Sequence, residues 1–257
     1  MKVGLQLYSV RDEMERDMEQ TLRAVKAMGY DFVEFAGFFG HSADEIKAML
    51  QGIGLEAVSV HQGYETFLED PEAAAFLKTI GVSYCAVPYM GREKHKGADD
   101  YAQTIEMLKK VSERLKKQGI SMLYHNHEFE FHTYEGKCLI DWLYETAGLD
   151  AIEPEFDTCW IKYAGYSPEA YLKQYSGHVP VVHIKDFTGS TGLGKTREEN
   201  GFQMQPVGQG VQDWESILQA AKAAGARYLI VEQDDNAPGE SLNNAEKSRA
   251  YLKDLGY

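Results

Sequence analysis

One pattern recurs along the chain and limits the folds open to it: an amphipathic stretch, a glycine, then a short β-branched or aromatic run. AVKAMGYDFVEF, FLKTIGVSYCAV and AAKAAGARYLIVE are three examples. A glycine that ends a helix commonly takes the left-handed conformation before the chain turns away. The pattern therefore predicts that six helices end at Gly29, Gly54, Gly81, Gly119, Gly148 and Gly225.

Each of these glycines precedes a predicted strand, and GLQLYSV and VPVVHIKDF raise the strand count to eight. Helix starts can also be predicted, since Ser42 has Glu45 three residues later and Ser167 precedes Pro168. Alternating strands and helices indicate parallel pairing with right-handed crossovers. The sequence favours an α/β fold with one (β/α)8 TIM barrel domain over residues 1–257, because such barrels take about 250 residues.

An open, doubly wound sheet is the alternative fold, because it shares the alternation of strands and helices. It would carry a glycine-rich phosphate-binding turn after the first strand. The segment LYSVRDEME, which follows the first predicted strand, contains no glycine. The closed barrel is therefore favoured.

Charge and composition exclude several classes of partner. The 26 Lys and Arg against 40 Asp and Glu give a formal net charge of -14, which repels the phosphate backbone of nucleic acids. No apolar run approaches the roughly 20 residues of a membrane-spanning helix, and the N-terminus lacks a signal-peptide pattern. We therefore expect a cytoplasmic protein with neither nucleic-acid nor membrane partners. Oligomeric state stays open, and a homo-oligomer is compatible with the sequence.

Two further patterns carry no site of their own. The cysteines Cys85, Cys138 and Cys159 are far apart and form no CxxC, which indicates neither a disulfide framework nor a thiolate zinc site.

GSTGLGKT, residues 189–196, fits the P-loop pattern, but that motif needs a helix to begin at its Lys-Thr. The residues that follow include glycines and a proline, so we predict a mobile loop over the barrel mouth. From this loop Lys195 and Arg197 could approach an anionic substrate.

Chemistry in a (β/α)8 barrel lies at the carboxyl ends of the strands. Polar side chains stand at most of the predicted strand ends: Gln6, Tyr8, Arg11, Glu34, His61, Gln62, Glu155, Asp157, His183, Lys185, Glu232 and Asp234. The predicted fifth strand runs into LYHNHEFEFH, which holds three histidines and two glutamates. So many ionisable groups are costly to bury unless they face one polar cavity. The barrel mouth is the place for that cavity.

Asp157, His183 and Glu232 come from three successive predicted strands and point into one mouth. A mixed carboxylate and imidazole set without a thiolate suits one divalent metal ion, such as Mn, Mg, Co or Zn. In the fifth-strand segment, His125 and His127 lie on one face of an extended chain. If the strand stops near His127 and the chain curls back, both histidines and one glutamate could share the mouth.

The chain resembles a known family, the xylose-isomerase-like barrels of sugar isomerases and epimerases. That family includes ketose 3-epimerases, inosose dehydratase and, more distantly, endonuclease IV. The resemblance covers nearly the whole chain. It is carried by GLQLYSVR, YHNHEFEF, EFDTCW, VHIKDF, PVGQGVQDW, IVEQD and SRAYLKDLGY, in this order.

The resemblance implies a divalent metal ion held by one group from each of strands five to eight. Three of these groups match Asp157, His183 and Glu232. The fourth ligand is expected to be Glu130, from the His-Asn-His-x-x-Glu pattern, with Glu128 and His125 as alternatives.

The resemblance also implies an activity: metal-dependent isomerisation or epimerisation of a keto sugar or related polyol through an enediolate. We expect Glu232 and His127 to carry protons and Lys185 to stabilise negative charge, while His125 occupies the position that often supplies the base. The side chains expected to bind sugar hydroxyls are Gln6, Glu34, His61 and Asn126. Two alternatives stay open. One is a metal-dependent hydro-lyase of the inosose dehydratase or 3-keto-glycoside type, and the other is a non-catalytic sugar-binding barrel.

Overall fold

Eight parallel strands close into a barrel in the computed structural model of the protein, which describes residues 1–90 and 98–257. Each strand pairs with the next along the chain, and the last pairs with the first. The strands are β1 (Lys2–Gln6), β2 (Phe32–Phe35), β3 (Glu56–His61), β4 (Tyr84–Val87), β5 (Ser121–His125), β6 (Glu153–Asp157), β7 (Val181–Ile184) and β8 (Tyr228–Val231). The predicted (β/α)8 barrel is confirmed.

Helices cover the outside of the barrel. Within the described residues the α-helices are Arg11–Arg16, Met18–Met28, Ala43–Ile53, Tyr64–Glu69, Ala73–Ile80, Ala98–Lys117, Leu139–Ala147, Thr158–Tyr163, Pro168–Gln174, Trp214–Ala223 and Ser241–Asp254. Short 3-10 helices span Leu7–Val10 and Phe129–Phe131. None of the helices in these ranges is both long and apolar enough to cross a lipid bilayer.

The six glycines that punctuate the sequence all have positive φ in the structure, as predicted. Gly29, Gly54 and Gly81 are left-handed C-caps, with φ of 91°, 72° and 92°. Their backbone N–H groups donate to carbonyls of the last helical turn, which lets the chain reverse into a strand. At the other end of Ala43–Ile53, Ser42 and Glu45 form the predicted capping box.

The inside of the barrel changes from apolar to polar along the strands. Its lower layer is an apolar cluster of Phe32, Val58, Tyr84, Ala86, Leu123, Val181 and Ile230. Two residues further along β5, β7 and β8, the same face carries His125, His183 and Glu232, because side chains on one face of a strand recur every second residue. The floor is therefore sealed, and the chemistry lies at the carboxyl ends.

A hairpin follows β7, formed by Asp186–Thr188 paired antiparallel with Gln203–Gln205. The GSTGLGKT run lies in its connecting loop, and no helix begins at Lys195 or Thr196. The loop needs its first glycine, since a Cβ on Gly189 would stand 2.7 Å from the carbonyl oxygen of Asn200. Rejection of the P-loop interpretation is confirmed.

Candidate metal centre and active site

Four side chains from the ends of β5 to β8 converge at the barrel mouth: His125, Asp157, His183 and Glu232. One ligand atom of each lies within 4.8 Å of the others, and we call these residues the outer cluster. Asp157 is oriented by its own helix, because its Oδ1 accepts from the backbone N–H groups of Cys159 and Trp160 at 2.8 and 3.1 Å. Its Oδ2 is left to face the cluster.

A buried lysine stands beside the outer cluster. The Nζ of Lys185 lies 3.1 Å from Asp157 Oδ2, 2.9 Å from Glu232 Oε2 and 3.0 Å from both oxygens of Asp234. The contact with Asp157 is an ion pair without hydrogen-bonding geometry, so within residues 1–90 and 98–257 Asp157 Oδ2 has no hydrogen-bond partner. Asp157, Glu232 and Asp234 surround this one ammonium, and burial raises the pKa values of Asp157 and Asp234, so their carboxylate forms are costly without a further cation. The donor set therefore fits a divalent ion.

Deeper in the barrel lies a second group, which we call the inner cluster: Glu34, His61 and Glu155, with the inward ring nitrogens of His125 and His183. Nε2 of His61 lies 2.8 Å from Glu155 Oε2 and 3.1 Å from Glu34 Oε1. Nε2 of His183 lies 2.7 Å from the same Glu34 oxygen, while its Nδ1 lies 2.9 Å from Glu232 Oε2 in the outer cluster. The His183 ring thus connects the two clusters.

Mutual charge shifts the protonation of these groups. Burial alone would lower the pKa of His61, but the carboxylates of Glu34 and Glu155 raise it to about 10. Burial raises the pKa of Glu155 to about 7, and the nearby charge of Glu34 acts in the same direction. Burial also opposes ionisation of Glu232, but Lys185 and His183 hold its pKa well below its usual range. Glu232 is therefore a carboxylate.

A cavity of about 560 Å³ opens above the outer cluster. Its lining residues are Tyr8, Ala36, His61, Pro88, Tyr89, His125, His127, Trp160, Lys185, Arg197, Glu232, Asp234 and Asp235. Removal from water lowers the pKa of His127 to about 3, so its imidazole is neutral at neutral pH. The ring of His127 stacks near Phe129 and Trp160, at centroid distances of 5.6 and 5.8 Å. The cavity therefore contains the neutral imidazole of His127 and the ammonium of Lys185 between aromatic side chains.

Arg197 brings the loop after β7 to the cavity wall, as the sequence predicts for that loop. Its guanidinium lies 4.1 Å from the centroid of the Trp160 ring, and its Nη2 lies 2.9 Å from Glu128 Oε2. Glu128 was an alternative candidate for the fourth metal ligand, but its carboxylate pairs with this arginine. Lys195 lies with Arg197 along a separate surface depression and does not line the cavity.

Three of the four predicted sugar-binding residues lie outside the lining of the cavity. Gln6, Glu34 and Asn126 are fully buried, and none of them lines the cavity. Gln6 donates to Glu34 and accepts from the Tyr8 backbone. Asn126 exchanges two hydrogen bonds with the backbone of Asp157, which ties β5 to β6. These side chains organise the floor of the site, and only His61 reaches the cavity.

Glu130 also lies elsewhere than expected. The strand ends at His125, and the chain then turns into the 3-10 helix Phe129–Phe131. The Glu130 carboxylate accepts from the Tyr124 hydroxyl at 2.6 Å and from the His127 backbone N–H at 2.8 Å. Tyr124 belongs to the outward face of β5, among the core residues under the helices. Glu130 therefore braces the turn, and the strand-five position in the outer cluster belongs to His125.

Glu155 and Asp234 were predicted at strand ends without a specific role, and Trp160 was not singled out from sequence; all three lie at the site. The signal for Glu155 was its alternation with Asp157 in EPEFD. Asp234 follows Glu232 by two residues in the same way. Trp160 gave no comparable signal, because it reaches the cavity from the first turn of a helix.

A (β/α)8 barrel with carboxylates and histidines gathered at its mouth defines the class of TIM barrels with a polar site at the carboxyl ends of the strands. The chain belongs to the xylose isomerase-like TIM barrel family, whose profile matches residues 22–255. No curated protein sequence matches the chain significantly.

Solved structures show the same fold. A sugar phosphate isomerase/epimerase from Parabacteroides distasonis superposes with a TM-score of 0.81 at 24% identity, covering 98% of this chain and 93% of that one. The IolI protein, solved with a binding zinc atom, gives 0.78 at 17% identity over 99% and 98% of the two chains. An L-ribulose 3-epimerase gives 0.72 at 17% identity over 100% and 94%. At these identities the likeness establishes the fold alone.

Proposed function

We propose that the protein is a divalent-metal-dependent isomerase or epimerase of a keto sugar or related polyol, acting through an enediolate. The observation that carries this proposal is the convergence of Asp157, His183 and Glu232 beside a cavity that also contains His127 and Lys185. Family membership and the names of the isomerase and epimerase structures support it.

The ion fits Asp157, His183 and Glu232, which bring two carboxylates and one imidazole from three strands. Three protein ligands leave coordination positions open for substrate, as in catalytic metal sites. His183 is held with its Nδ1 toward Glu232 because its Nε2 contacts Glu34. When bound, the ion would act as a Lewis acid toward the carbonyl and neighbouring hydroxyl of the sugar.

The protein's own groups would move the protons. His127 lines the cavity, and its Nδ1 has no hydrogen-bond partner among the described residues, so we assign to its imidazole the proton on the carbon next to the carbonyl. Glu232 lines the same cavity and is our second proton carrier. Lys185 stabilises the negative charge that develops on the sugar oxygens. Trp160 and Tyr89 present ring surfaces to the apolar face of the sugar.

Two measurements test the proposal. Metal analysis of the purified protein should find a bound divalent ion that Asp157→Asn removes. The protein is incubated with a panel of keto sugars in deuterated water. Mass spectrometry should then find deuterium at the carbon next to the carbonyl of the substrate. His127→Asn should abolish this exchange, whereas His132→Asn, an exposed histidine of the same segment, should preserve it.

The outcomes distinguish the alternatives. A protein that binds sugars without metal and without exchange would be a non-catalytic barrel. Loss of water from the sugar in place of simple exchange would indicate a hydro-lyase. No exchange with any keto sugar, with metal present, would contradict the proposed isomerase.

A further inference from the structure

The loops that follow β1 and β8 are joined into one wall of the cavity. Nη1 of Arg11 donates to the carbonyl oxygens of both Tyr8 and Asp234, each at 2.8 Å. Two further hydrogen bonds link Ser9 to the loop after β8. Tyr8 and Asp235 line the cavity from these two loops, so they are neighbours on a fixed support.

The Tyr8 ring is held in one orientation while much of it stays accessible. The guanidinium carbon of Arg11 lies 4.0 Å from the ring centroid, so an anchored side chain covers one face of the ring. Tyr8 is nevertheless 42% exposed and lines the cavity. A side chain that is already held loses little conformational entropy when a ligand packs against it. The exposed part of the Tyr8 ring is therefore a prepared stacking surface.

The carboxylate of Asp235 stands beside this ring. Asp235 is exposed, and within residues 1–90 and 98–257 its carboxylate forms neither a hydrogen bond nor an ion pair. A carboxylate accepts hydrogen bonds from hydroxyl groups, whereas it repels a phosphate or another carboxylate. The two side chains together suit a neutral sugar ring, which has an apolar C–H face for the tyrosine and hydroxyl donors for the aspartate.

This wall lies across the mouth from the side chains that the proposed reaction uses. In the closed barrel, β1 and β8 stand opposite β5 and β4, which lead into His127 and Tyr89. The cavity between them has a volume of about 560 Å³, within the range of about 300–1,000 Å³ that holds drug-sized ligands. A single six-carbon sugar is smaller than such ligands. A sugar placed against His127 therefore leaves room for a further ring at Tyr8 and Asp235.

We propose that Tyr8 and Asp235 form a second sugar-binding subsite, and that the substrate is a keto sugar that carries a second, neutral sugar ring through a glycosidic bond. The reactive ring lies at the outer cluster, and the second ring packs on Tyr8 with its hydroxyls donating to Asp235. The position of the reactive ring rests on the proposed function, whereas Tyr8 and Asp235 alone place the second ring.

Keto disaccharides offer a matched test, because turanose, maltulose and isomaltulose carry glucose on three different oxygens of fructose. The full-length protein is titrated in excess Zn with fructose and with each disaccharide. Saturation-transfer difference NMR gives the Kd and shows which ring protons contact the protein. In the wild type we expect at least one disaccharide to bind about tenfold more tightly than fructose, with contacts from both rings.

Variants of Tyr8 assign this gain to the subsite. Tyr8→Ala should lower the ratio of the fructose Kd to the disaccharide Kd to about two or less, and contacts from the glucose ring should disappear. Tyr8→Phe keeps the ring and should keep the ratio. Tyr134→Ala is the control, because Tyr134 is 40% exposed and lies outside the cavity.

The other outcomes separate the subsite from the proposed function. Equal affinity for fructose and all three disaccharides, no binding of any of these sugars, or an unchanged ratio in Tyr8→Ala would each overturn the subsite. A disaccharide that binds more tightly through Tyr8 but never exchanges deuterium would support the subsite and contradict the isomerase. Exchange into fructose with no gain for the disaccharides would do the reverse. Should Tyr8→Ala fail to fold, Asp235→Ala tests the subsite at an exposed side chain, and an unchanged ratio there would also overturn it.

Discussion

Nε2 of His183 lies 2.7 Å from Oε1 of Glu34, and both side chains are fully buried. A carboxylate in contact with one ring nitrogen fixes the tautomer of a histidine and raises the basicity of the other nitrogen. We therefore expect Glu34, which was predicted to bind the sugar, to act through His183 on the proposed outer metal ion.

Replacing Glu34 by Gln should lower the affinity of the protein for the proposed outer metal ion. Loss of such a partner typically lowers metal affinity by about 10- to 100-fold. The metal concentration that gives half-maximal deuterium exchange should rise by that factor, while the exchange rate at saturating metal changes less. Glu153→Gln, on β6, is the control. An unchanged metal requirement would show that Glu34 has no influence on His183.

Glu130→Gln should affect stability and leave the metal in place. The carboxylate accepts two hydrogen bonds, whereas an amide has one acceptor oxygen, so the Tyr124 hydroxyl would have to accept from the amide and lose its hydrogen bond to a buried carboxylate. We expect the free energy of unfolding to fall by about 1–3 kcal/mol, measured by urea titration. Glu128→Gln, which alters a more peripheral ion pair, should cost less. Loss of bound metal in Glu130→Gln would restore Glu130 as a ligand.

The barrel was predictable because its signals are local. A glycine after each helix and alternation along each strand are properties of neighbouring residues, so Gly29 or the pair Glu155 and Asp157 could be placed from sequence. The depth of a side chain was not predictable. It depends on the stagger of strands around the barrel and on where a strand stops, and these decide that Gln6 lies below the cavity and His61 reaches it.

The fifth strand shows the same limit at a single turn. HNHEFE was compatible with His125, Glu128 or Glu130 in the outer cluster, depending on the path of the chain after the strand. The structure decides among them through contacts with residues far along the chain, such as Arg197 with Glu128. Nothing within the segment itself encodes that pairing.

The loop PVGQGVQDW owes its conformation to Asp186, and Asp186→Asn should destabilise the protein. The buried carboxylate accepts from the backbone N–H groups of Gly208 and Gly210 and from Nε1 of Trp214. Hydrogen bonds to a charged group contribute about 1.5–3 kcal/mol each, so we expect a loss of about 2–4 kcal/mol in urea unfolding. Asp213→Asn keeps a good helix N-cap and should leave stability nearly unchanged. Equal stability of both variants would contradict this role.

Lys185→Gln should change metal affinity and turnover in opposite directions. The ammonium lies 3.1 Å from Asp157 Oδ2 and 2.9 Å from Glu232 Oε2, the oxygens that we assign to the outer ion. Two cations drawn to the same oxygens repel each other, and at this distance the repulsion is of the order of several kcal/mol even at an effective dielectric constant of 20. Removing the charge should therefore tighten metal binding at least about tenfold, because about 1.4 kcal/mol is enough for that factor.

Turnover should fall in the same variant, because the ammonium no longer stabilises the charge that develops on the sugar oxygens. We expect kcat to decrease by about 10²- to 10³-fold, the typical effect of removing one such group. Chelator competition reports the affinity, and deuterium exchange at saturating metal reports the rate. Lys162→Gln, on the helix that follows β6, is the control. Weaker metal binding in Lys185→Gln would mean that the lysine supports the ion site structurally and does not compete with the ion for its carboxylates.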